Sequence, residues 1–573
     1  MSDSSPVPDS TPSIVAALDA LFASINRGDA PGLVVGVAHR GETIYRRGFG
    51  LASLEHATAN TPWTRMRIGS TSKHFTCLAV LLLAEDGLVD PDAPVRNYLP
   101  ELPARAVEPT VRQLMSHTSG LRCHLDIGSL GNGEALTPDG GAWETMKRQR
   151  EVNFAPGENM VYCNGGYHLM SLLIEKLAGV PFEQFLRDRI FQPLGMRDTD
   201  SVPSDLLIVP GIATMHVPIP PSRGGGWRRG IFPSEEVRGE GAMVSTIDDM
   251  LGWLAHLRAD DKRVGSAETW RQMLVPAVLK SGLANPYALG LMVHDYRGLR
   301  VVHHAGGVVG GTCQMLTVPD HALDIIMMVN GAPANPMELA NRIIDTVLAD
   351  HVGETPVKAK LQDFLPMRGA RYADARTGRV IEFTEGEPGL LGLRFLNGPP
   401  VGLRVEGERL RAGFEDMAIG PLSLNAAQLT RTGPEGTDAA AAPAALDLAE
   451  AGVVARFERL PAEPLPADTA AALAGRYFSH DLDAQAVVRP HVDAESGETT
   501  WRLEIDGQFG RARLALTPWS TELFGWQEVV ALLSHPSTGQ LRVERRDGPG
   551  SPVVALRMDT HRSRHVLLER LPD

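Results

Sequence analysis

Apolar residues recur at helical spacing near both ends of the first 350 residues. The stretches SIVAALDALFASINRG and PMELANRIIDTVLAD each carry an apolar stripe that would lie on one face of a helix. Between them, every side chain from Leu78 to Ala84 is apolar, which predicts a helix that is buried on all sides. Gly87 is the expected C-terminal end of that helix.

Strand-like segments flank the helical middle of this region. GLVVGVAHRGETIYRRGFGLAS predicts two strands around a turn at Arg40 and Gly41, and RVVHHAGG and GTCQMLTVPDHALDIIMMVN predict two more. Strands on either side of a helical segment indicate an α+β layout, with one antiparallel sheet, helices on its faces and a helical insertion. We place this domain at residues 12–350, after a disordered tail at residues 1–11.

After residue 350 the pattern changes to short strand-like segments separated by Gly, Pro and Asp turns. Two halves of this region resemble each other. GARYADARTGRVIEF corresponds to AGRYFSHDLDAQAVV, and the closing RFERLP corresponds to LLERLP. A repeat of this kind, with about eight short strands in each copy, is typical of a small closed barrel. We therefore predict two antiparallel β-barrels, at residues 351–466 and 467–573.

Composition narrows the classes of function. The chain has 573 residues, of which 43% are hydrophobic and 22% charged, and its formal net charge is −14. This negative balance argues against a nucleic-acid or anionic membrane partner, and the apolar runs are too short to span a bilayer. The acidic, proline-containing N-terminus lacks the pattern of a signal peptide. Four cysteines without metal-type spacing predict reduced thiols in a cytoplasmic protein with no metal or other cofactor.

The first candidate for chemistry is the pair Ser70 and Lys73, at the entrance to the apolar helix. A spacing of three residues places both on one face of the first helical turn. Burial and the positive end of the helix dipole both disfavour a charged lysine there, so Lys73 would be a base beside a nucleophile. On these residues alone, an ordinary helix cap with a solvent-reaching lysine explains the pattern as well.

Two other stretches could complete a site for acyl transfer. In NFAPGENMVYCNGGYHLM, Tyr162 could shuttle protons beside Lys73, and Asn164 could orient both by hydrogen bonds. The alternative for Tyr162 is a buried phenol with a satisfied hydroxyl. In VVHHAGGVVGG, the small residues after His304 let a substrate lie against the backbone, and the amides of Gly307 and Ser70 could hold an oxyanion. The alternative is a hairpin turn without chemistry.

The order of these motifs resembles the penicillin-recognising serine hydrolases, which include class C β-lactamases, D-alanyl-D-alanine carboxypeptidases, esterases and D-aminopeptidases. The matching motifs are Ser70-x-x-Lys73, Tyr162-x-Asn164 and His304-x-Gly306, supported by LMSHTSGL, PGENMVYCNGGYHLM and IFQPLGMRDT. Many members carry Lys-Thr-Gly as the third motif, and here a histidine replaces the lysine, as in the esterase-like and D-aminopeptidase branches. The resemblance implies that Ser70 is the nucleophile and that Lys73 and Tyr162 transfer its proton. Asn164, His304, Gly306 and Gly307 would position the substrate and the oxyanion.

The two predicted barrels narrow the resemblance to bacterial D-aminopeptidases, which carry such a pair after the catalytic domain. That branch implies a hydrolase that releases N-terminal D-amino acids from small peptides or amides. It also implies a third-domain loop that reaches into the cleft, for which we expect an acidic or carbonyl-rich tip. The barrels would shape the cleft or build a homodimer. The alternatives are a carboxylesterase, a peptidase for unusual D-residue-containing peptides such as linearised microcystin, and a silent penicillin-binding sensor or scaffold.

Overall fold

The computed structural model describes residues 11–406, 409–412, 427–431, 442–450, 453–462, 465–492, 497–529 and 537–572. The predicted tail lies outside these residues except for its last position. The helices are α1 (Thr11–Phe22), α2 (Lys73–Glu85), α3 (Val111–Met115), α4 (His124–Asn132), α5 (Gly141–Arg148), α6 (Asn164–Ala178), α7 (Phe182–Leu186), α8 (Gln192–Leu194), α9 (Ile247–Arg258), α10 (Ala267–Leu274) and α11 (Pro336–Val347).

The strands of the first 350 residues form one large sheet and three small ones. They are β1 (Leu33–His39), β2 (Glu42–Phe49), β3 (Leu51–Ser53), β4 (Thr58–Ala59), β5 (Met66–Arg67), β6 (Asp200–Ser201), β7 (His216–Pro218), β8 (Trp227–Arg229), β9 (Met243–Ser245), β10 (Met292–Tyr296), β11 (Leu299–Val308), β12 (Gly311–Val318) and β13 (Leu323–Val329). The large sheet is antiparallel and has the order β10-β11-β12-β13-β1-β2.

The predicted turn between β1 and β2 is confirmed, with Arg40 and Gly41 at φ of 53° and 84°, as a two-residue hairpin requires. The stretch GTCQMLTVPDHALDIIMMVN was expected to be a single strand and forms two, β12 and β13. A turn at Pro319–His321 separates them, because proline cannot donate to the ladder and breaks the pairing there. The strand β10 was not predicted.

Both faces of the large sheet are buried, and the apolar residues of β1 show how. Leu33, Val35 and Val37 pack in the cluster that includes α1 and α11, whereas Val34 packs in the cluster that includes α2 and α6. Side chains of a strand alternate between its faces, so helices on both sides remove the whole strand from water. The helix α2 is buried from Lys73 to Leu83 and ends before Gly87 at φ 75°, as its apolar sequence predicts.

The region after residue 370 contains two closed eight-stranded antiparallel barrels, so the predicted fold class is confirmed. The first barrel comprises β14 (Arg371–Asp374), β15 (Val380–Glu385), β16 (Leu391–Phe395), β17 (Pro400–Glu406), β18 (Arg409–Ala412), β19 (Ala427–Arg431), β20 (Ala445–Glu450) and β21 (Val453–Arg459). The second barrel comprises β22 (Gly475–Ser479), β23 (Ala484–Val492), β24 (Thr499–Asp506), β25 (Arg511–Pro518), β26 (Leu523–Glu528), β27 (Thr538–Arg545), β28 (Val553–Asp559) and β29 (Val566–Arg570).

The second barrel packs directly on the helical part of the first 350 residues. Ile127 and Leu130 of α4 belong to the apolar core of this barrel, and Asn132 accepts a hydrogen bond from the backbone N–H of Phe509 at 2.9 Å. The first barrel contacts the second one, where Gln540 bonds Val380 N and Gly378 O, each at 2.9 Å. Among the residues that the structure describes, no helix is long and apolar enough to cross a membrane.

Candidate active site

Ser70 lies in a single 3₁₀ turn, Gly69–Ser72, that leads into α2. Ser70 is partly exposed, whereas Lys73 at the first position of the helix is fully buried. The Lys73 ammonium nitrogen donates to Ser70 Oγ at 3.0 Å, to Asn164 Oδ1 at 2.9 Å and to the Glu240 carbonyl oxygen at 2.5 Å. These three acceptors match the three protons of an ammonium group, so the lysine is held in one position against the serine.

The environment of Lys73 lowers the cost of removing its proton. Burial lowers the pKa of Lys73 from its usual value to about 7, against the attraction of the Glu240 carboxylate and with a further lowering contribution from Arg562. Desolvation penalises the charged form of a lysine. A neutral amine is therefore accessible near neutral pH at 3.0 Å from Ser70 Oγ.

Tyr162 and Asn164 approach the same pair from the start of α6. The Tyr162 ring centroid lies 4.8 Å from Lys73 Nζ. Burial raises the pKa of the Tyr162 hydroxyl, and a hydrogen bond with Ser70 opposes that rise. The backbone N–H of the intervening Cys163 donates to Nδ1 of the buried His117 at 3.0 Å. This bond fixes the extended dipeptide that presents Tyr162 and Asn164 on one side.

Gly306 and Gly307 bring the end of β11 against the turn that carries Ser70. A Cβ atom at Gly306 would lie 1.8 Å from the carbonyl oxygen of Ile68, so only glycine allows this approach. A Cβ atom at Gly69 would lie 2.8 Å from Gly307 N, whereas one at Gly307 would meet nothing within 4 Å. The Gly307 amide is thus next to the nucleophile turn, and the space over Gly307 is open.

His304 is held behind this strand end. Its Nδ1 lies 2.6 Å from the Ala305 carbonyl oxygen, and its Nε2 lies 2.9 Å from the hydroxyl of Tyr287. A carbonyl can only accept, so Nδ1 carries the proton and Nε2 accepts from the tyrosine. Burial lowers the pKa of His304 to about 3. We expected His304 to help position the substrate and the oxyanion, but both of its ring nitrogens are already bonded within the protein.

Three residues that the sequence analysis did not single out contribute to the site, namely Glu240, Tyr287 and Arg562. Glu240 supplies the carbonyl that holds Lys73, and Tyr287 fixes the ring of His304. Arg562 comes from the turn Thr560–His565 between β28 and β29 of the second barrel, which we call the docking loop. Glu240 and Arg562 lie far from the motifs along the chain, Tyr287 lies 17 residues before His304, and no local pattern marks any of the three.

The docking loop is bonded to the helical region at several points. Asp126 accepts from the backbone N–H of Arg562 at 3.0 Å, and Asn153 donates to the Arg562 carbonyl at 2.9 Å. The fully buried Arg122 donates to the carbonyls of Arg564 and His565 at 2.8 and 3.0 Å. These bonds hold the loop in place over the entrance to the site.

Arg562 and Ser70 line the same cavity, which has a volume of about 90 Å³. Arg562 also lines an adjoining cavity of about 380 Å³ between α4 and the second barrel. The Arg562 guanidinium carbon lies 5.3 Å from the centroid of the Tyr162 ring. A loop of the second barrel thus reaches the cleft and presents the basic side chain of Arg562 there, where we expected an acidic or carbonyl-rich tip.

Comparison with known proteins agrees with this geometry. Residues 16–349 match the beta-lactamase family. The chain is 29% identical to a D-aminopeptidase from Brucella canis, over 66% of this chain and 70% of that protein. It is 30% identical, with the same coverage, to a D-aminopeptidase from Brucella anthropi.

A solved structure extends the likeness to nearly the whole chain. The octameric penicillin-binding protein homologue from Pyrococcus abyssi superposes over 97% of this chain and 99% of its own, with a TM-score of 0.52 and 18% identity. At this identity the likeness concerns the fold, including the barrels. The family match, which covers more than half of the chain, shows that this protein belongs to the beta-lactamase family of serine hydrolases.

Proposed function

We propose that this chain hydrolyses amide bonds through a Ser70 acyl-enzyme, in the manner of a D-aminopeptidase. The observation that carries the proposal is the buried Lys73 Nζ at 3.0 Å from Ser70 Oγ, the contact that a base needs to activate a nucleophile. A binding protein without turnover gains nothing from holding a buried amine against a serine. The named D-aminopeptidases from Brucella support the choice of an amide substrate with an N-terminal D-residue.

In the proposed reaction, Ser70 Oγ attacks the amide carbonyl while Lys73 takes its proton. The backbone amides of Ser70 and Gly307 hold the oxyanion, and Asn164 keeps Lys73 aligned with the nucleophile. Tyr162, whose phenol hydrogen-bonds Ser70, then passes a proton to the departing amine and regains one from the protonated Lys73, so both residues return to their starting protonation states. Water releases the acid from the acyl-enzyme by the same steps in reverse. Gly306 lets the end of β11 approach the turn that carries Ser70. The hydrogen bonds of His304 with Tyr287 and Ala305 hold that strand end in place.

A panel of p-nitroanilides and p-nitrophenyl esters tests the proposal. The panel contains D- and L-aminoacyl anilides with free and blocked amines, beside short acyl esters. We expect kcat/KM to be highest for D-aminoacyl amides. A preference for the esters over every amide would replace the proposal with the carboxylesterase alternative. A fluorophosphonate adduct at Ser70, located by peptide mass spectrometry, checks the nucleophile independently of the substrate.

Arg562 supports a second candidate, a hydrolase for amides that carry an anionic group near the scissile bond. Its Nε atom is buried and has no hydrogen-bond partner among the described residues, while the nearby Asp126 and Cys123 favour its charged form and raise its pKa against burial. A guanidinium in that state suits a substrate carboxylate, which it can bind through two parallel hydrogen bonds. Adding D-aspartyl and N-succinyl anilides to the panel distinguishes this candidate from an enzyme that requires a free N-terminal amine.

We further propose that the chain works as an oligomer in a reducing compartment such as the cytoplasm. The relative from Pyrococcus abyssi is octameric, which supports self-association on the same fold. All four cysteines are free and buried, as thiols are in a protein that needs no disulfide. Light scattering at micromolar concentration tests the first statement, and fractionation of cells that make the chain tests the second.

A further inference from the structure

Two histidines and one glutamate meet in a buried cluster beside the catalytic lysine. They are His124 at the start of α4, His168 within α6 and Glu240 before β9, and we call them the His-His-Glu cluster. Each offers one ligand atom, and these three atoms lie within 4.8 Å of one another. The three side chains are at most 5% exposed. The residues are far apart along the chain, so no spacing in the sequence indicates a metal.

The polar atoms of the cluster face carboxylate oxygens at 3.4–3.8 Å but make no hydrogen bonds of normal geometry among the described residues. Neither ring nitrogen of His124 or His168 makes a hydrogen bond there, and Oε1 of Glu240 accepts none. Buried polar atoms without hydrogen bonds destabilise a fold, and this cluster holds five such atoms. A cation bound between them would satisfy three of them at once.

The spacing and the donor types suit a transition metal of the zinc class. Glu240 Oε1 lies 3.4 Å from His168 Nδ1 and 3.7 Å from His124 Nε2. Ligand atoms about 2.1 Å from a tetrahedral zinc stand about 3.4 Å apart. Two imidazoles and a carboxylate form a known zinc ligand set that leaves one position for water.

A second carboxylate stands where metal sites usually place one. His168 Nε2, on the far side of the ring from Glu240, lies 3.8 Å from Oε1 of Glu236. A histidine ligand commonly donates its other N–H to a carboxylate, which sets its tautomer and orientation. Both cavities of the cleft reach the cluster, since Glu240 lines the one at Ser70 and His124 lines the larger one. A hydrated ion therefore has a route to it.

We propose that the His-His-Glu cluster binds one divalent transition-metal ion, with zinc as the best match. The ion anchors the side chain of Glu240, whose backbone carbonyl holds Lys73 at 2.5 Å. Its role is to position the lysine rather than to contact the substrate. The inference does not depend on the substrate class, because metal content is measured without turnover.

The test measures bound metal in the full chain. Protein equilibrated with buffered micromolar zinc and then desalted should contain one zinc per chain by elemental analysis. His124→Asn and His168→Asn should each reduce the content at least tenfold. Glu236→Gln leaves all three proposed ligands in place. It should weaken the affinity for zinc about 10–100-fold, as loss of a carboxylate that supports a histidine ligand does. His294→Asn, which removes a partly buried imidazole outside the cluster, is the control and should bind one zinc.

Loss of fold in a variant is separated from loss of the site by measurements on the native chain. Zinc should raise its melting temperature by several degrees, and cobalt in its place should give the visible absorption of a four-coordinate centre. Less than a tenth of an equivalent of zinc in the native chain would overturn the proposal. Unchanged zinc content in both folded histidine variants would overturn it as well.

Discussion

Two segments deliver a cation to the same tyrosine, and they do so in different ways. The start of α2 places Lys73 Nζ 4.8 Å from the centroid of the Tyr162 ring, and the docking loop places the Arg562 guanidinium carbon 5.3 Å from it. Lys73 belongs to the region of the first 350 residues, whereas Arg562 belongs to the second barrel, nearly 500 residues later in the chain. The site is therefore built jointly by the catalytic region and a barrel.

The two cations differ in how their protons are used. Lys73 directs its three donors at three acceptors within the protein, whereas the Nε of Arg562 has no partner in the part of the chain that the structure describes. A lysine can give up its proton when buried, but a guanidinium cannot. This difference supports our proposals that Lys73 serves the chemistry and that Arg562 serves the recognition of a ligand.

Removing the nucleophile should have the largest effect on turnover and should separate catalysis from the binding of a ligand. Ser70→Ala is expected to lower kcat by about 10⁵-fold, because a covalent catalyst is lost. The docking loop is untouched, so the binding of an uncleaved substrate should remain within a few-fold of the native value. Steady-state kinetics and calorimetric titration measure the two quantities. Full activity in this variant would refute the acyl-enzyme.

Replacing Lys73 by arginine, the residue type of Arg562, tests directly whether this position needs a side chain that can give up its proton. Lys73→Arg keeps the positive charge but cannot act as a base, and we expect a loss of 10²–10⁴-fold in kcat. Lys73→Ala should lower kcat to a similar extent. A variant with arginine that retains most of the activity would show that the charge, and not the proton, matters at this position. Circular dichroism of both variants controls for folding.

Neutralising the second cation should change selectivity instead of chemistry. Arg562→Gln is expected to lower kcat/KM about 10–100-fold for anilides with an anionic group, since a charged hydrogen bond is worth about 1.5–3 kcal/mol. Because Arg562 also lowers the pKa of Lys73, its loss should raise that pKa, so the turnover of uncharged anilides should change little at a pH well above it. Arg564→Gln removes a guanidinium from the same loop and is the matched control. Equal losses for anionic and uncharged anilides would mean that Arg562 does not read substrate charge.

Point substitution is a cleaner test of the loop than deletion of the second barrel. Ile127 and Leu130 of α4 are buried in the core of that barrel, so its removal would expose apolar residues of the catalytic region. Exposure of two large aliphatic side chains costs about 3–6 kcal/mol. A truncated chain would thus lose activity through instability, whatever the role of Arg562.

Loosening the docking loop should have the smallest effect of the four. Asn153 bonds the Arg562 carbonyl and the Arg564 N–H at 2.9 and 2.7 Å. Asn153→Ala should lower kcat/KM for anionic anilides about three- to tenfold, as loss of about 1 kcal/mol of hydrogen bonding predicts. Asn132→Ala removes a comparable bond to Phe509 of the same barrel and should leave selectivity unchanged. An equal fall in kcat/KM in both variants would mean that the effect comes from weaker packing of the whole second barrel and not from the docking loop.

The sequence by itself determined the elements whose geometry is set by neighbours along the chain. The spacing of Ser70 and Lys73 places them together because one helical turn fixes it, and the uniformly apolar run after Lys73 predicts the buried α2. The Arg40–Gly41 turn predicts its hairpin by the same local logic. The repeated RFERLP and LLERLP segments predict the two barrels because a duplicated sequence repeats its strands.

Only the tertiary structure decided which distant groups meet at the site. The carbonyl of Glu240 at Lys73, the hydroxyl of Tyr287 at His304 and the guanidinium of Arg562 all come from loops, whose paths depend on packing against other parts of the molecule. Helices and strands repeat with a period that their sequence displays, and a loop has no such period. The sign of the charge at the docking-loop tip, and the meeting of His124, His168 and Glu240, could therefore be known only once the barrel and the helices were in place.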